Sequence, residues 1–396
     1  MKVIDAALGW LSYNMPARRK LKFIPPVRFL KYRRVYRAPA GWWGEFTPQT
    51  PQALLGVPGI RRDPEAEQAA YEEQPLQDYP ALYPRGTRLQ YYGMARALIP
   101  TSPRFMRAQA AIERAAARSR QVAGSRPGKP MDPAELTRKV KAEAARLGLN
   151  TIGIAPYDPK YEFEPFLGRN AGDRVIICIL EQNYATTQLA PNTVAERAVM
   201  SAYSELMQMT ASLATYLQDL GYKAAPTSPH GTGAMIHYAV QAGLGQLGHN
   251  GQLLTPFAGS RCRLVSMTTD APLDFDAPRD YGINKICEEC QVCVRRCPAN
   301  AIPRRRAYHR GVEKAKINTR RCLPLVSQAG GCAVCMKVCP VQAYGLAAVY
   351  EEYEKTGRIL GKGTDELEGF TFPVDRRYYG PGDMPKLDQE FFFDLT

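Results

Sequence analysis

Eight of the ten cysteines fall between positions 287 and 339, in two runs that each end in Cys-Pro. The first reads Cys287-x2-Cys290-x2-Cys293-x3-Cys297-Pro298, the second Cys322-x9-Cys332-x2-Cys335-x3-Cys339-Pro340. Thiolates are soft ligands suited to iron, and gaps of two and three residues wrap the chain around one corner of an iron–sulfur cube. The closing proline then turns the chain away. In a 2-2-3 run, three thiolates hold one cluster and the fourth crosses to its neighbour. The spacing therefore assigns Cys287, Cys290, Cys293 and Cys339 to one [4Fe–4S] cluster, and Cys297, Cys322, Cys332 and Cys335 to a second. Zinc sites usually take cysteines in separated pairs, and disulfides suit an exported chain. Both are the weaker readings, and the chemistry implied is one-electron transfer.

The other reactive residues are few. Gly243-Leu-Gly245-Gln-Leu-Gly248 matches a dinucleotide fingerprint, with Asp270 downstream. That fingerprint needs a strand before it and a helix after it, whereas here a helix is predicted before and an extended segment after. The glycines are read instead as bringing backbone close to another flat cofactor. Of the four histidines, His237 is placed inside a helix as a packed residue. His249, in what reads as an exposed glycine turn, is the better functional candidate. Cys178, within an apolar strand, is expected to be inert. Cys262 lies between Arg261 and Arg263, an electropositive setting.

The elements that must position these groups follow from periodicity. Asp132 and Pro133 open a helix with an N-cap and a proline at the first turn, and Gly148 closes it. Thr151–Ala155, Val175–Leu180 and Arg263–Thr268 read as strands. Ala195–Leu220 is a long amphipathic helix and Ala234–Ala242 a shorter one. This alternation predicts an α/β or α+β core directly ahead of the cysteines. Four segments result: an accessory region over 1–130 that wraps another domain, with helices around Val3–Tyr13 and Pro103–Arg120; the core over 131–282; the cluster module over 283–345; and a tail over 346–396. The tail carries eleven acidic and six basic residues between Glu351 and Asp394, and Phe391-Phe392-Phe393 suggests that it docks.

The formal charge of +14 is uneven. Residues 1–37 hold ten Lys or Arg against Asp5, and a second basic group runs from Arg304 to Arg321. Such patches suit an acidic donor protein, an anionic membrane surface or nucleic acid. No apolar run approaches the roughly 20 residues of a membrane helix. Arg18-Arg19-Lys20 lacks the apolar stretch of an export signal behind it, so a cytoplasmic protein is expected.

Across about Met131 to Gly345 the chain resembles the cobalamin-dependent reductive dehalogenases and their cousins, the epoxyqueuosine reductases. The resemblance is carried by Tyr203, Leu220-Gly221-Tyr222, Ala242 through Gly251, Leu254-Thr-Pro256, Thr269-Asp270-Ala-Pro272-Leu273 and both cysteine runs. It implies a nitroreductase-like core binding a base-off cobalamin, followed by a bacterial-ferredoxin-like module with two [4Fe–4S] clusters. It also implies a tyrosine that donates a proton beside the cobalt, with a nearby Arg or Lys that strengthens it as an acid; Tyr203 matches that tyrosine. Where these enzymes carry Arg or Lys after Leu-Gly, this chain has His249, which the resemblance makes the replacement. Gly243, Gly245, Gly248 and Asn250 become cofactor contacts, and His230 a polar residue of the same site. No Asp-x-His-x-x-Gly segment signals a histidine ligand to cobalt.

The function implied is reductive removal of a halide or similar leaving group from a small organic, halogenated substrate. Electrons would come from a low-potential donor such as a ferredoxin, a flavodoxin or a reductase. Two other readings compete. A tRNA-modifying epoxyqueuosine reductase would suit the basic charge, but Ala225–Thr232 lacks the Asp that branch uses, so nucleic acid is not the expected partner. A plain iron–sulfur carrier or redox sensor leaves some 280 residues unexplained.

Overall fold

The computed structural model describes residues 95–122 and 131–387, apart from 163–165, 167, 230, 231, 234, 310, 311, 319, 320, 323, 324, 327 and 328. The expected helix at Val3–Tyr13, His230 and Phe391–Phe393 lie outside the described residues.

The core is organised on one strand. Helix α1 (Ala95–Gln121) and helix α2 (Pro133–Arg146) lead into strand β1 (Thr151–Pro156) and strand β2 (Arg174–Glu181). Val175 through Leu180 is a continuous apolar run, and all six residues are buried. Side chains alternate across a strand. Ile176, Cys178 and Leu180 thus join one apolar cluster, while Val175, Ile177 and Ile179 join another on the opposite face. A strand buried on both faces must be internal. β2 indeed pairs with β1 on one side and with strand β4 (Cys262–Thr269) on the other, and β4 pairs with the short edge strand β3 (Ala224–Pro226). Every pairing in this sheet is antiparallel, so the core is the α+β form of the expected mixed class.

Helix α3 (Thr193–Asp219) covers one face, and helix α4 (Met235–Gln241) covers the other. Asn192 caps α3 by accepting from the Val194 amide at 2.8 Å, and Asp132 caps α2 in the same way through Glu135. Leu206, Leu213 and Leu217 lie fully buried along α3, each contributing about 1.5–3 kcal/mol relative to exposure. The expected helix at Pro103–Arg120 is realised as α1. Its Ala108, Ile112 and Ala115 enter the same apolar cluster as α2 and α3, so this end of the accessory region builds the core.

A second lobe follows. Helix α5 (Ile283–Cys290), helix α6 (Val292–Arg295), helix α7 (Val334–Lys337), helix α8 (Pro340–Tyr344) and helix α9 (Leu346–Thr356) pack around Val292, Val334, Val338 and Val341. The duplicated cysteine motif has a duplicated backbone. Gln291 after Cys290 and Ala333 after Cys332 both take the left-handed conformation, at φ 53° and 54°, and each opens a four-residue helix bearing the next cysteine.

The tail docks on this lobe through Ile359, Leu367, Phe370, Phe372 and Tyr379. Its anchor is Arg296, 1% exposed, which stands just before Cys297. The guanidinium donates to the carbonyls of Glu368 (3.1 Å), Tyr379 (2.9 Å) and Asp383 (2.6 Å) and lies 4.8 Å from the Phe370 ring. Arg296→Met removes every one of these donors and leaves buried carbonyls unpaired. It should cost about 3 kcal/mol or more and release the tail, read as new protease cleavage between 357 and 387.

Candidate functional site

The cysteines divide into two groups of four. Cys287, Cys290, Cys293 and Cys339 line one cavity together with His249, Asn250, Ile286, Pro340 and Val341. Cys297, Cys322, Cys332 and Cys335 are the second group, each of the last three acted on electrostatically by others of the set. Burial pushes the Cys290, Cys322 and Cys335 thiols up to about 12. Four such sulfurs ionise together only around a strongly positive centre, and the donor set therefore fits iron. Amide hydrogens are already aimed at them. Backbone N–H groups of His249, Val292 and Val334 face Cys287, Cys290 and Cys332, and the Ala301 amide donates to Cys297 Sγ at 3.2 Å.

The glycine turn has a structural role that its motif did not reveal. A side chain at Gly243 would strike the Ala277 carbonyl, at Gly245 the Leu254 carbonyl, and at Gly248 the Leu254 side chain. The three positions are packed against the chain's own atoms, which by itself requires glycine at each. The residue between them does the positioning. Gln246, fully buried, accepts from the amides of Tyr281 (2.8 Å) and Ile283 (3.1 Å) and donates to Asp280 at 2.9 Å. It thereby fixes the start of α5, the helix that carries Cys287 and Cys290. Gln246→Ala leaves two amides without their acceptor and should cost about 2–3 kcal/mol. The loss should appear as a lower melting temperature and faster iron release to a chelator. Asp270, by contrast, accepts from the Lys223 amide at a sheet end and is a structural cap.

His249 is not exposed, as the glycine-rich composition had suggested; it is 2% exposed, because α5 and the Pro303 segment close over the turn. Its Nε2 lies 2.9 Å from the Pro303 carbonyl and donates to it, leaving Nδ1 without a partner among the described residues. Burial lowers its pKa. Asn250 is also buried. It donates to Ser260 (3.3 Å) and to the Cys335 carbonyl (3.4 Å), joining the turn to the second cysteine group.

The cation beside Tyr203 is a different residue. Tyr203 stands on α3, and Arg263, at the start of β4, places its guanidinium 5.6 Å from the ring centre. Arg263 donates to Gln182 Oε1 at 2.5 Å, and Gln182 in turn donates to Thr187 at 2.9 Å. Arg261 forms an ion pair with Glu181 and lies 5.2 Å from the Tyr184 ring. Glu196 faces Arg263 from α3; burial raises its pKa and Arg263 opposes that rise. This constellation abuts the cluster lobe, since a side chain at Gly331, next to Cys332, would meet Glu196 at 2.9 Å. Gln188 also donates to Gln342 at 3.3 Å across the junction. Sequence reasoning noted the arginines flanking Cys262 but not their use. Cys262 itself is inert: burial pushes its thiol up to about 12 despite both arginines. The same holds for Cys178 in β2. In His237, burial lowers the pKa to about 3, as befits a packed residue.

Comparisons with known proteins bear on the cysteine segment and on the fold. Residues 286–343 match a family model described as a 4Fe-4S dicluster domain. In class, the chain is a homologue of the reductive dehalogenases that carries this domain. It is 31% identical over 260 residues to the tetrachloroethene reductive dehalogenase of Sulfurospirillum multivorans, covering 54% of this chain and 52% of that one. It is 29% identical over 263 residues to that of Dehalobacter restrictus (strain DSM 9455 / PER-K23), covering 52% and 48%. The chain thus spans about half the length of the curated relatives it matches. The solved structure of the catabolic reductive dehalogenase NpRdhA shares the fold, with a TM-score of 0.52 and 22% identity over 68% of this chain and 44% of that one. The epoxyqueuosine reductase of Synechococcus sp. (strain RCC307) matches a smaller part, 34% identical over 117 residues, or 26% of this chain and 33% of that one. Among the described residues no helix is long and apolar enough to cross a membrane.

Proposed function

We propose that this chain is an iron–sulfur and corrinoid oxidoreductase that reductively removes a halide or similar leaving group from a small organic molecule. The observation that carries the reading is the junction itself. Gly331, the residue before Cys332, packs against Glu196 of the wall on which Arg263 faces Tyr203. An electron-carrying lobe is thereby set directly against a phenol paired with a cation.

Two [4Fe–4S] clusters would be held by the two cysteine groups, and a base-off corrinoid at the junction. Polar atoms with no partner suit the corrinoid. Arg261 Nε, Arg263 Nε and Gln342 Nε2 are buried there without an acceptor among the described residues, and the amide oxygens that edge a corrin are acceptors. Reduced cobalt, when bound, supplies the electrons that cleave the carbon–leaving-group bond. The protein supplies the rest. Tyr203 holds a proton at its phenol oxygen for the carbon that loses the halide. Arg263 offsets the charge left on the ring when that proton departs. Gln182 holds Arg263 in place, and the apolar faces of β2 and β4 keep the back of the site dry.

A single relative illustrates the substrate class: NpRdhA has been solved in complex with 3-bromo-4-hydroxybenzoic acid. The test is halide release by the loaded protein from brominated and chlorinated phenols, benzoates and ethenes, with a chemically reduced low-potential mediator. Catalytic halide release supports the reading. A fully loaded protein that releases none from the panel contradicts it.

A further inference from the structure

Three cations stand in the cluster lobe, Arg296 and Lys337 buried and Arg306 half-buried, and the first two donate to carbonyl oxygen. Arg296 donates to three tail carbonyls, and Lys337 donates to the Leu367 carbonyl at 3.3 Å. Arg306 differs. Its Nε and Nη2 are buried and have no partner among the described residues. A guanidinium presents its N–H groups in a fixed fork, and a buried fork without an acceptor is costly.

Its neighbours show what the fork faces. The His249 imidazole donates to the Pro303 carbonyl and so pins the segment that ends in Arg306. The backbone amide of His249 faces the Cys287 sulfur, and the Arg306 charge acts on both residues. Glu288 is the carboxylate acting on the same pair; it is exposed and leaves both nitrogens unpartnered. Among the described residues no oxygen takes these donors, and the acceptor on which the Arg306 charge acts is the Cys287 sulfur.

Resting on the iron–sulfur reading above, we propose that Arg306 is a positioning residue for the cluster held by Cys287, Cys290, Cys293 and Cys339, donating its Nε–H and Nη2–H to sulfur of that cluster. A charged donor stabilises the more negative, reduced state, and hydrogen bonds to sulfur are among the factors that set cluster potentials. Arg306 thus makes this cluster easier to reduce than it would otherwise be, and leaves the other untouched.

The experiment is an anaerobic redox titration of the full chain with two reconstituted clusters, followed by electron paramagnetic resonance. It needs neither corrinoid nor substrate. In Arg306→Met one of the two one-electron couples should shift to lower potential while the other stays in place. Arg306→Lys, which keeps the charge but not the fork, should fall between. If Arg306→Met does not retain its iron, Arg306→Lys and Arg306→Gln carry the test by the same shift. Couples that do not move in variants with full iron content overturn the inference and leave the cluster reading intact. A parent chain showing no two couples would instead defeat the cluster reading itself.

Discussion

Anaerobically purified Cys293→Ala and Cys332→Ala variants should each retain about four iron atoms, where the parent retains about eight. The two substitutions fall in separate groups. Cys293 lines the cavity with Cys287, Cys290 and Cys339, and Cys332 is acted on by Cys335, Cys322 and Cys297. Each group has its own left-handed entry residue and its own short helix, so one can fill when the other cannot. The crossing cysteines, Cys297 and Cys339, tie the groups covalently through the backbone without sharing a ligand. Paramagnetic resonance of the reduced variants should show one cluster signal each, free of the magnetic coupling between neighbours. Loss of all iron from either variant would mean that the two sites fill only together.

The second large effect is at Tyr203. Tyr203→Phe keeps the ring that faces Arg263 and removes only the phenol oxygen. Iron and corrinoid content should be unchanged, and turnover should fall by about 10²–10⁴-fold, the usual contribution of a positioned acid. Arg263→Lys is the companion. It keeps a cation, yet loses the planar group that spans Gln182 and the ring face, and should fall between the parent and Tyr203→Phe. Comparing melting temperatures separates chemistry from folding, since Arg263 is buried and Tyr203 only partly so. Unchanged turnover in Tyr203→Phe would remove the residue from the mechanism.

The parts legible in the sequence were those written locally. Cysteine spacing marked the segment that matches a 4Fe-4S dicluster domain, because a cluster imposes its geometry on a few adjacent residues. The apolar run at Val175–Leu180 announced a central strand, and Asp132-Pro133 and Gly148 marked the ends of α2. What failed to show depends on distant chain. His249 sits in a glycine-rich turn that composition places at the surface, but the lobe that buries it begins more than thirty residues later. A cation beside Tyr203 was expected after Leu-Gly; the one that faces its ring is Arg263 in β4, brought toward α3 by strand register, not sequence proximity. Gln246 looked like filler among glycines; only the folded chain shows it holding the amides that start the cluster helix. The antiparallel strand order and the entry of α1 into the core are likewise matters of tertiary pairing.

The central claim is that one chain unites two clusters with a corrinoid at the Tyr203–Arg263 junction. Its most direct test is the iron and cobalt content of protein reconstituted anaerobically with iron, sulfide and hydroxocobalamin, read together with its absorption spectrum. The account predicts about eight iron atoms and a stoichiometric corrinoid with a base-off spectrum. Full iron without retained cobalt would contradict it and leave an electron carrier in its place.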